Sequence, residues 1–251
     1  MLRSTRHWRP LVNGHTGYTP WWHAALITEL RGLPDLESLV AVTELTAIEW
    51  IVVHRDLVPE RRWNEWQTLP ARVPWLKVAF ADDAILLLHV ERERRSRWAD
   101  ALALGARFRG HTALGTPLAP LSRDDAWAKL EWRTRPRRRA AAGERVSGVV
   151  RVRNAGATTW PALLRPEQPD DQLVVLEGAW WAADGTRSGE TIRLRLPRDV
   201  LPGDRVGVPF DVATPTVPGK WRLTWRVRQV GGASFVLSPG LDEIIEVEAP
   251  S

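Results

Sequence analysis

From Asp125 to the end of the chain the side chains alternate in character with a period of two, and turn residues break the pattern at short intervals. That alternation constrains the fold more than any other feature. A strand turns successive side chains to opposite faces, so period two marks strands with one face in a core and one in water. The predicted strands are Trp127–Thr134, Arg145–Asn154, Leu173–Ala182, Glu190–Leu196, Arg205–Val212, Lys220–Gln229 and Ile244–Glu248. In the sixth, Trp221, Leu223, Trp225 and Val227 alternate with charged or polar residues. Asn154-Ala-Gly156, Asp184-Gly185, Pro202-Gly203-Asp204 and Pro218-Gly219 supply the turns. Short alternating strands in this number over roughly 125 residues predict an antiparallel β-sandwich. The chain has no Cys. An antibody domain with its disulfide is therefore excluded, and an immunoglobulin-like topology stays open.

The first half reads differently. Trp22, Leu26 and Leu30 recur every four residues, which makes one helix face, and Gly32 and Pro34 stop it. Asp35 caps a second helix carrying Leu36, Leu39, Val40 and Leu45. Ala47 to His54 is almost wholly apolar, the pattern of a strand covered on both faces. Pro59 opens a third helix with Trp63 and Trp66 on its surface. Trp75–Phe80 and Ala84–Val90 flank Asp82-Asp83 as a hairpin. Two acids in so tight a turn read as turn residues rather than as an acid/base pair, and His54 and His89 at strand ends read as structural. The expected fold is α+β in two domains: a small α/β domain over 1–106, a Gly-, Thr- and Pro-rich linker over 107–124, and an immunoglobulin-like antiparallel β-sandwich over 125–251.

Ser4 to Pro20 has neither period. Asn13-Gly14 and Thr16-Gly17 let the backbone turn twice, and Thr19-Pro20 opens the following helix. Its His and Asn side chains either cap neighbouring backbone or present a binding surface.

The run His7-Trp8-x-Pro10-x-x-Asn13-Gly14-x-x-Gly17-Tyr18, followed by a helix and Trp50-Ile-Val-Val-His54, resembles the soluble segment after the last membrane helix of bacterial lipid-linked-sugar-dependent glycosyltransferases of the mannosyltransferase-like GT-C type. The resemblance covers roughly Leu2 to Glu91. Arg153-Asn-Ala-Gly-Ala-Thr-Thr-Trp160-Pro, with Trp180, Leu201-Pro-Gly203 and Pro218-Gly219, resembles the immunoglobulin-like accessory domain found beside bacterial sugar-transfer enzymes. That second likeness implies that Asn154, Gly156 and Trp160 form a structural turn and plug. The first implies a non-catalytic, extracytoplasmic accessory region that helps position acceptor or donor, since the family's catalytic acid sits between early membrane helices. His7, Trp8, Asn13, His15 and Tyr18 are then the substrate-binding candidates, polar groups beside aromatic faces being what a sugar requires. The resemblance places the protein at the outer face of the bacterial inner membrane. Taken by itself, the sequence holds no apolar run near the roughly 20 residues of a membrane helix and reads as soluble and cytoplasmic. The alternative function is a stand-alone carbohydrate- or protein-binding sandwich. Its 15 Trp against one Tyr and four Phe suit cores, membrane interfaces and sugar platforms alike.

Arg133, Arg135, Arg137, Arg138 and Arg139 form a basic cluster within a chain of net charge +5. Arg135, Arg137, Arg138 and Arg139 are the candidate contacts for anionic lipid headgroups. No aromatic residues interleave them, so nucleic acid is disfavoured as the partner and a solvated loop is the competing reading. Phosphate-cradling, nucleophile-elbow, dinucleotide and zinc-protease motifs are absent from the sequence, and no catalytic residue, metal ligand or cofactor is predicted.

Overall fold

The computed structural model describes residues 23–46, 48–91, 110–164, 168, 171–232, 235 and 238–249. The chain divides into two compact units, Met1–Leu104 and Gly105–Ser251.

In the first unit, helices α1 (His23–Gly32) and α2 (Leu36–Thr46) precede strand β1 (Trp50–His54), helix α3 (Glu60–Thr68) and the hairpin β2 (Leu76–Ala81) and β3 (Ile85–Val90). The three strands form one antiparallel sheet in the order β1-β3-β2. Leu39 of α2 and Trp63 and Trp66 of α3 pack with Val53, Leu76, Leu86 and Leu88 in a closed apolar cluster. The hairpin turn behaves as its composition predicts: Asp82 Oδ1 accepts from the backbone N–H groups of Ala84 (2.8 Å) and Ile85 (2.6 Å). One expectation fails. β1 is not covered on both faces, because Trp50 and Val52 are exposed while Val53 is buried. An all-apolar strand shows that both faces are apolar, but not that both are covered.

The second unit is the immunoglobulin-like sandwich. Its strands are β4 (Ala128–Thr134), β5 (Arg139–Ala141), β6 (Arg145–Asn154), β7 (Val174–Ala182), β8 (Arg187–Arg195), β9 (Arg205–Ala213), β10 (Gly219–Gln229) and β11 (Leu241–Glu248). A five-stranded sheet, β5-β11-β10-β7-β8, faces a three-stranded one, β4-β6-β9. Pairing is antiparallel throughout except between β5 and β11. Between the sheets lie Val146, Val150, Val152, Phe210, Leu223, Trp225 and Ile245. Phe210 and Trp225 meet with ring centroids 4.9 Å apart, and Gly178 leaves the room for that indole, since a Cβ there would stand 2.5 Å from it.

Asn154, Gly156 and Trp160 act as the turn and plug. Asn154 donates to the carbonyls of Thr158 and Val200, each at 2.8 Å, and accepts from the Gly156 N–H at 2.9 Å. A Cβ at Gly156 would lie 2.2 Å from the Asp125 carbonyl oxygen. Trp160 is 0% exposed, donates to that same carbonyl at 2.9 Å, and meets Phe235 edge-on at 5.0 Å.

The stretch 107–124, expected as a linker, is built into the sandwich from residue 110 onward. Thr112 donates to the Asp199 carboxylate at 2.5 Å, the Ala113 N–H donates to the Leu163 carbonyl, and Gln229 bonds to the backbone of Ala119 and Leu121. Its Gly, Thr and Pro residues shape a covering loop whose partners lie far along the chain, up to 110 residues away. No local composition reports such partners.

Candidate functional site: a basic sheet face

Alternation along β10 sorts its side chains. Trp221, Leu223, Trp225 and Val227 turn inward to the core, and Lys220, Arg222, Arg226 and Arg228 turn outward. The neighbouring strands continue this outer face. β11 contributes Asp242, Ile244 and Glu246, and the ladder sets Arg222 opposite Ile244 on one side and Trp181 of β7 on the other. β8 adds Arg193, which lies opposite Glu177 and donates to it at 3.1 Å; Arg228 reaches the same carboxylate at 3.5 Å.

The predicted arginine cluster borders this face, and each of its four candidate arginines has an acidic partner. Arg135 and Arg138 converge on Glu243, at 3.4 and 2.9 Å. Arg139 reaches Glu246 at 3.4 Å, while Arg137 pairs with Glu144 and also donates to the Arg145 carbonyl. The Ala141 N–H first, and Arg137 second, hold the Glu144 carboxyl below its usual range. The segment is thus both solvent-exposed, as the solvated-loop reading expects, and ion-paired along the edge of the sheet. Glu243 is nearly buried, whereas Arg138 and Arg139 are 70% and 75% exposed at their side chains. The Arg139–Glu246 pair is exposed at both ends and contributes only about 0–1 kcal/mol, so an incoming anion can take over its guanidinium hydrogens without a large penalty. Arg135 and Arg138, by contrast, share their hydrogens with nearly buried Glu243.

Arg135, Arg138, Arg139, Lys220 and Arg222 surround a shallow depression of ≈ 700 Å³ together with Asp242, Glu243, Glu246 and the aliphatic Ile244, leaving five cations against three carboxylates. Planar guanidiniums present paired N–H groups at the spacing of phosphate oxygens. Ile244, 60% exposed, stands among these cations. The arrangement can hold a phosphate-bearing group without any covalent chemistry.

The contribution of β10 to this site was missed in the sequence, although its signal was present. Lys220, Arg222, Arg226 and Arg228 are basic at every second position apart from Thr224, and cations spread with strand spacing do not look like a cluster. The other predicted site residues, His7, Trp8, Asn13, His15 and Tyr18, lie outside the described residues. Trp160, Trp180 and Trp221 are all buried, which counts against a sugar platform built from them. Among the described residues no three His, Asp or Glu side chains gather as metal ligands would, and no helix is long and apolar enough to cross a membrane.

No family model matches the chain, and no curated protein does. Solved structures resemble about half of it. The CARDB domain of a Pyrococcus furiosus protein, determined with di-metal ions, is 13% identical over 49% of this chain and 86% of that one, with a TM-score of 0.30. The sporulation control protein Spo0M of Bacillus subtilis is 18% identical over 49% of this chain and 50% of its own, also at 0.30. A Pseudomonas fluorescens alkylpurine DNA glycosylase bound to DNA is 11% identical over 61% of this chain and 35% of its own, at 0.33. Likeness at this level carries neither activity nor ligand over to this chain.

Proposed function

We propose that this chain is a non-catalytic accessory module of a lipid-linked-sugar-dependent membrane glycosyltransferase, working at the extracytoplasmic face of a bacterial inner membrane. Its sandwich rests the outer face of β10 and β11 on anionic lipid headgroups, while the His7–Tyr18 segment helps position acceptor or donor. The resemblance of the first 91 residues supports the enzyme class. The observation that carries the membrane contact is the cationic surplus around Ile244. Cations near an anionic bilayer contribute about 1 kcal/mol each, and an exposed aliphatic side chain among them can enter the headgroup layer.

Co-sedimentation with vesicles tests that contact. The protein is expected to pellet with phosphatidylglycerol vesicles at low salt, to release as salt rises, and to ignore phosphatidylcholine. Lys220→Glu with Arg222→Glu, both at exposed positions, is expected to weaken binding by well over tenfold. Equal binding to neutral vesicles, or none to either, would overturn the headgroup contact. Tight binding to a short DNA duplex in place of vesicles would transfer the face to nucleic acid. The enzyme class is tested separately by blotting native membranes: a band much larger than 28.4 kDa is expected there, and a band of 28.4 kDa confined to the soluble fraction would count against it.

A further inference from the structure

Among the described residues, β2 lies at the edge of the first unit's sheet and is exposed at every residue but its first, Leu76. Its sequence, Leu-Lys-Val-Ala-Phe-Ala, holds one charge and no proline. Val78 and Phe80 are 50% and 52% exposed although they point to opposite faces of the sheet. An apolar edge of this kind offers unpaired backbone groups to any strand that can align with it.

The irregularity between Val78 and Phe80 decides which alignment fits. Val78 lies opposite Leu88 and Ala81 opposite Leu86, so both are on the face that carries the core, whereas Lys77 and Phe80, opposite His89 and Leu87, are on the open face. Directly opposed residues of an antiparallel pair share a face. A second β2 related by a two-fold axis therefore fits with Val78 opposite Ala81 of the second copy. The same register sets Lys77 of each copy opposite Asp82 of the other. Lys77 is half exposed and approaches its own Glu91 only to 3.9 Å, and Asp82 uses just one oxygen to close its turn. Opposite charges in facing positions are the favourable cross-strand pair. The pairing also joins the two open apolar faces, each bearing Val52, Leu87 and Phe80, into one surface across six strands.

We infer that the chain self-associates through β2 into a two-fold dimer with a continuous six-stranded sheet, Val78 facing Ala81 and Lys77 facing Asp82 across the axis. Such an isologous interface closes on itself and removes an edge that would otherwise invite open-ended pairing.

Sedimentation of the full chain over a concentration series is expected to show reversible dimers. Lys77→Glu sets like charges opposite each other twice per dimer and is expected to weaken association by about tenfold, with Lys77→Arg restoring it. Because the natural chain has no Cys, Val78→Cys combined with Ala81→Cys gives a clean register probe, expected to yield a covalent dimer on mild oxidation. Both positions are on the edge strand, and circular dichroism checks that the fold is kept. A monomer at all concentrations with no cross-linked product would overturn the inference. So would a dimer that neither tolerates the cross-link nor responds to Lys77→Glu, since its interface would lie elsewhere.

Discussion

Asp199 sits wholly inside the sandwich, where its carboxylate accepts from the Thr112 hydroxyl at 2.5 Å and from the N–H groups of Ala162 and Leu163 at 2.8 Å each. Burial pushes its carboxyl above the usual range, and these hydrogen bonds offset only part of that effect. The folded state therefore holds the proton more tightly than the unfolded chain does. In the window between the ordinary carboxylate range and the raised value, folded molecules bind more protons, so stability falls as pH rises through it. The group's favourable contribution is fully present below the ordinary range. Asp199→Asn removes the titration but points an amide N–H₂ at a Thr112 oxygen that already accepts from the N–H groups of Leu114 and Thr116. The variant is expected to be less stable at every pH. The difference in unfolding free energy from the natural protein should grow as pH is lowered through the window, because only the natural chain gains there. Urea titrations at a series of pH values measure that difference. The exposed acids Glu144, Asp184 and Asp211, all held below their usual values, are common to both proteins and cancel.

At the scale of elements, Glu243 ties an arginine-bearing segment to a strand. Its nearly buried carboxylate accepts from Arg135 and Arg138, which precede β5, and so fixes that edge against β11. Glu243→Gln keeps the shape but loses the charge and one of the two acceptor oxygens. One arginine keeps an oxygen to donate to while the other faces an amide N–H₂, with an expected cost of about 2 kcal/mol. The same change adds one unit of positive charge beside the depression. If the basic face meets anionic lipid, the variant should unfold more easily yet bind phosphatidylglycerol vesicles more tightly; thermal melts and co-sedimentation read the two effects independently. Neither consequence could be seen in the sequence, where Glu243 stands 108 and 105 residues from its arginines. The strands themselves were legible because period two is local: predicted Arg145–Asn154 is β6, and predicted Lys220–Gln229 is β10 with one residue added. β5 was not, since three residues carry too little alternation to register. Arg135, Arg138 and Arg139, which line the depression, were legible as part of a run, and its β10 cations Lys220 and Arg222 were hidden by their spacing.

At the scale of the whole molecule, the two compact units each close an apolar cluster of their own. Leu88, Trp63 and Trp66 belong to the first, and Trp160, Trp225 and Ile245 to the second. Stability is then expected to divide along the same line. Leu88 is 0% exposed, and Leu→Ala at such a site costs about 2–5 kcal/mol; Trp160→Ala removes the larger plug at about 3–5 kcal/mol. If each cluster is its own cooperative unit, Leu88→Ala should move only the transition of residues 1–104 and Trp160→Ala only that of 105–251. Calorimetry of both variants and the double variant measures this: two independent units give additive shifts in separate peaks. A single peak moved by either substitution would mean that the units fold as one. The outcome also bears on the proposed arrangement, because a β2 dimer stabilises only the unit that contains β2. Raising protein concentration should therefore lift the melting temperature of 1–104 by mass action and leave that of 105–251 where it was.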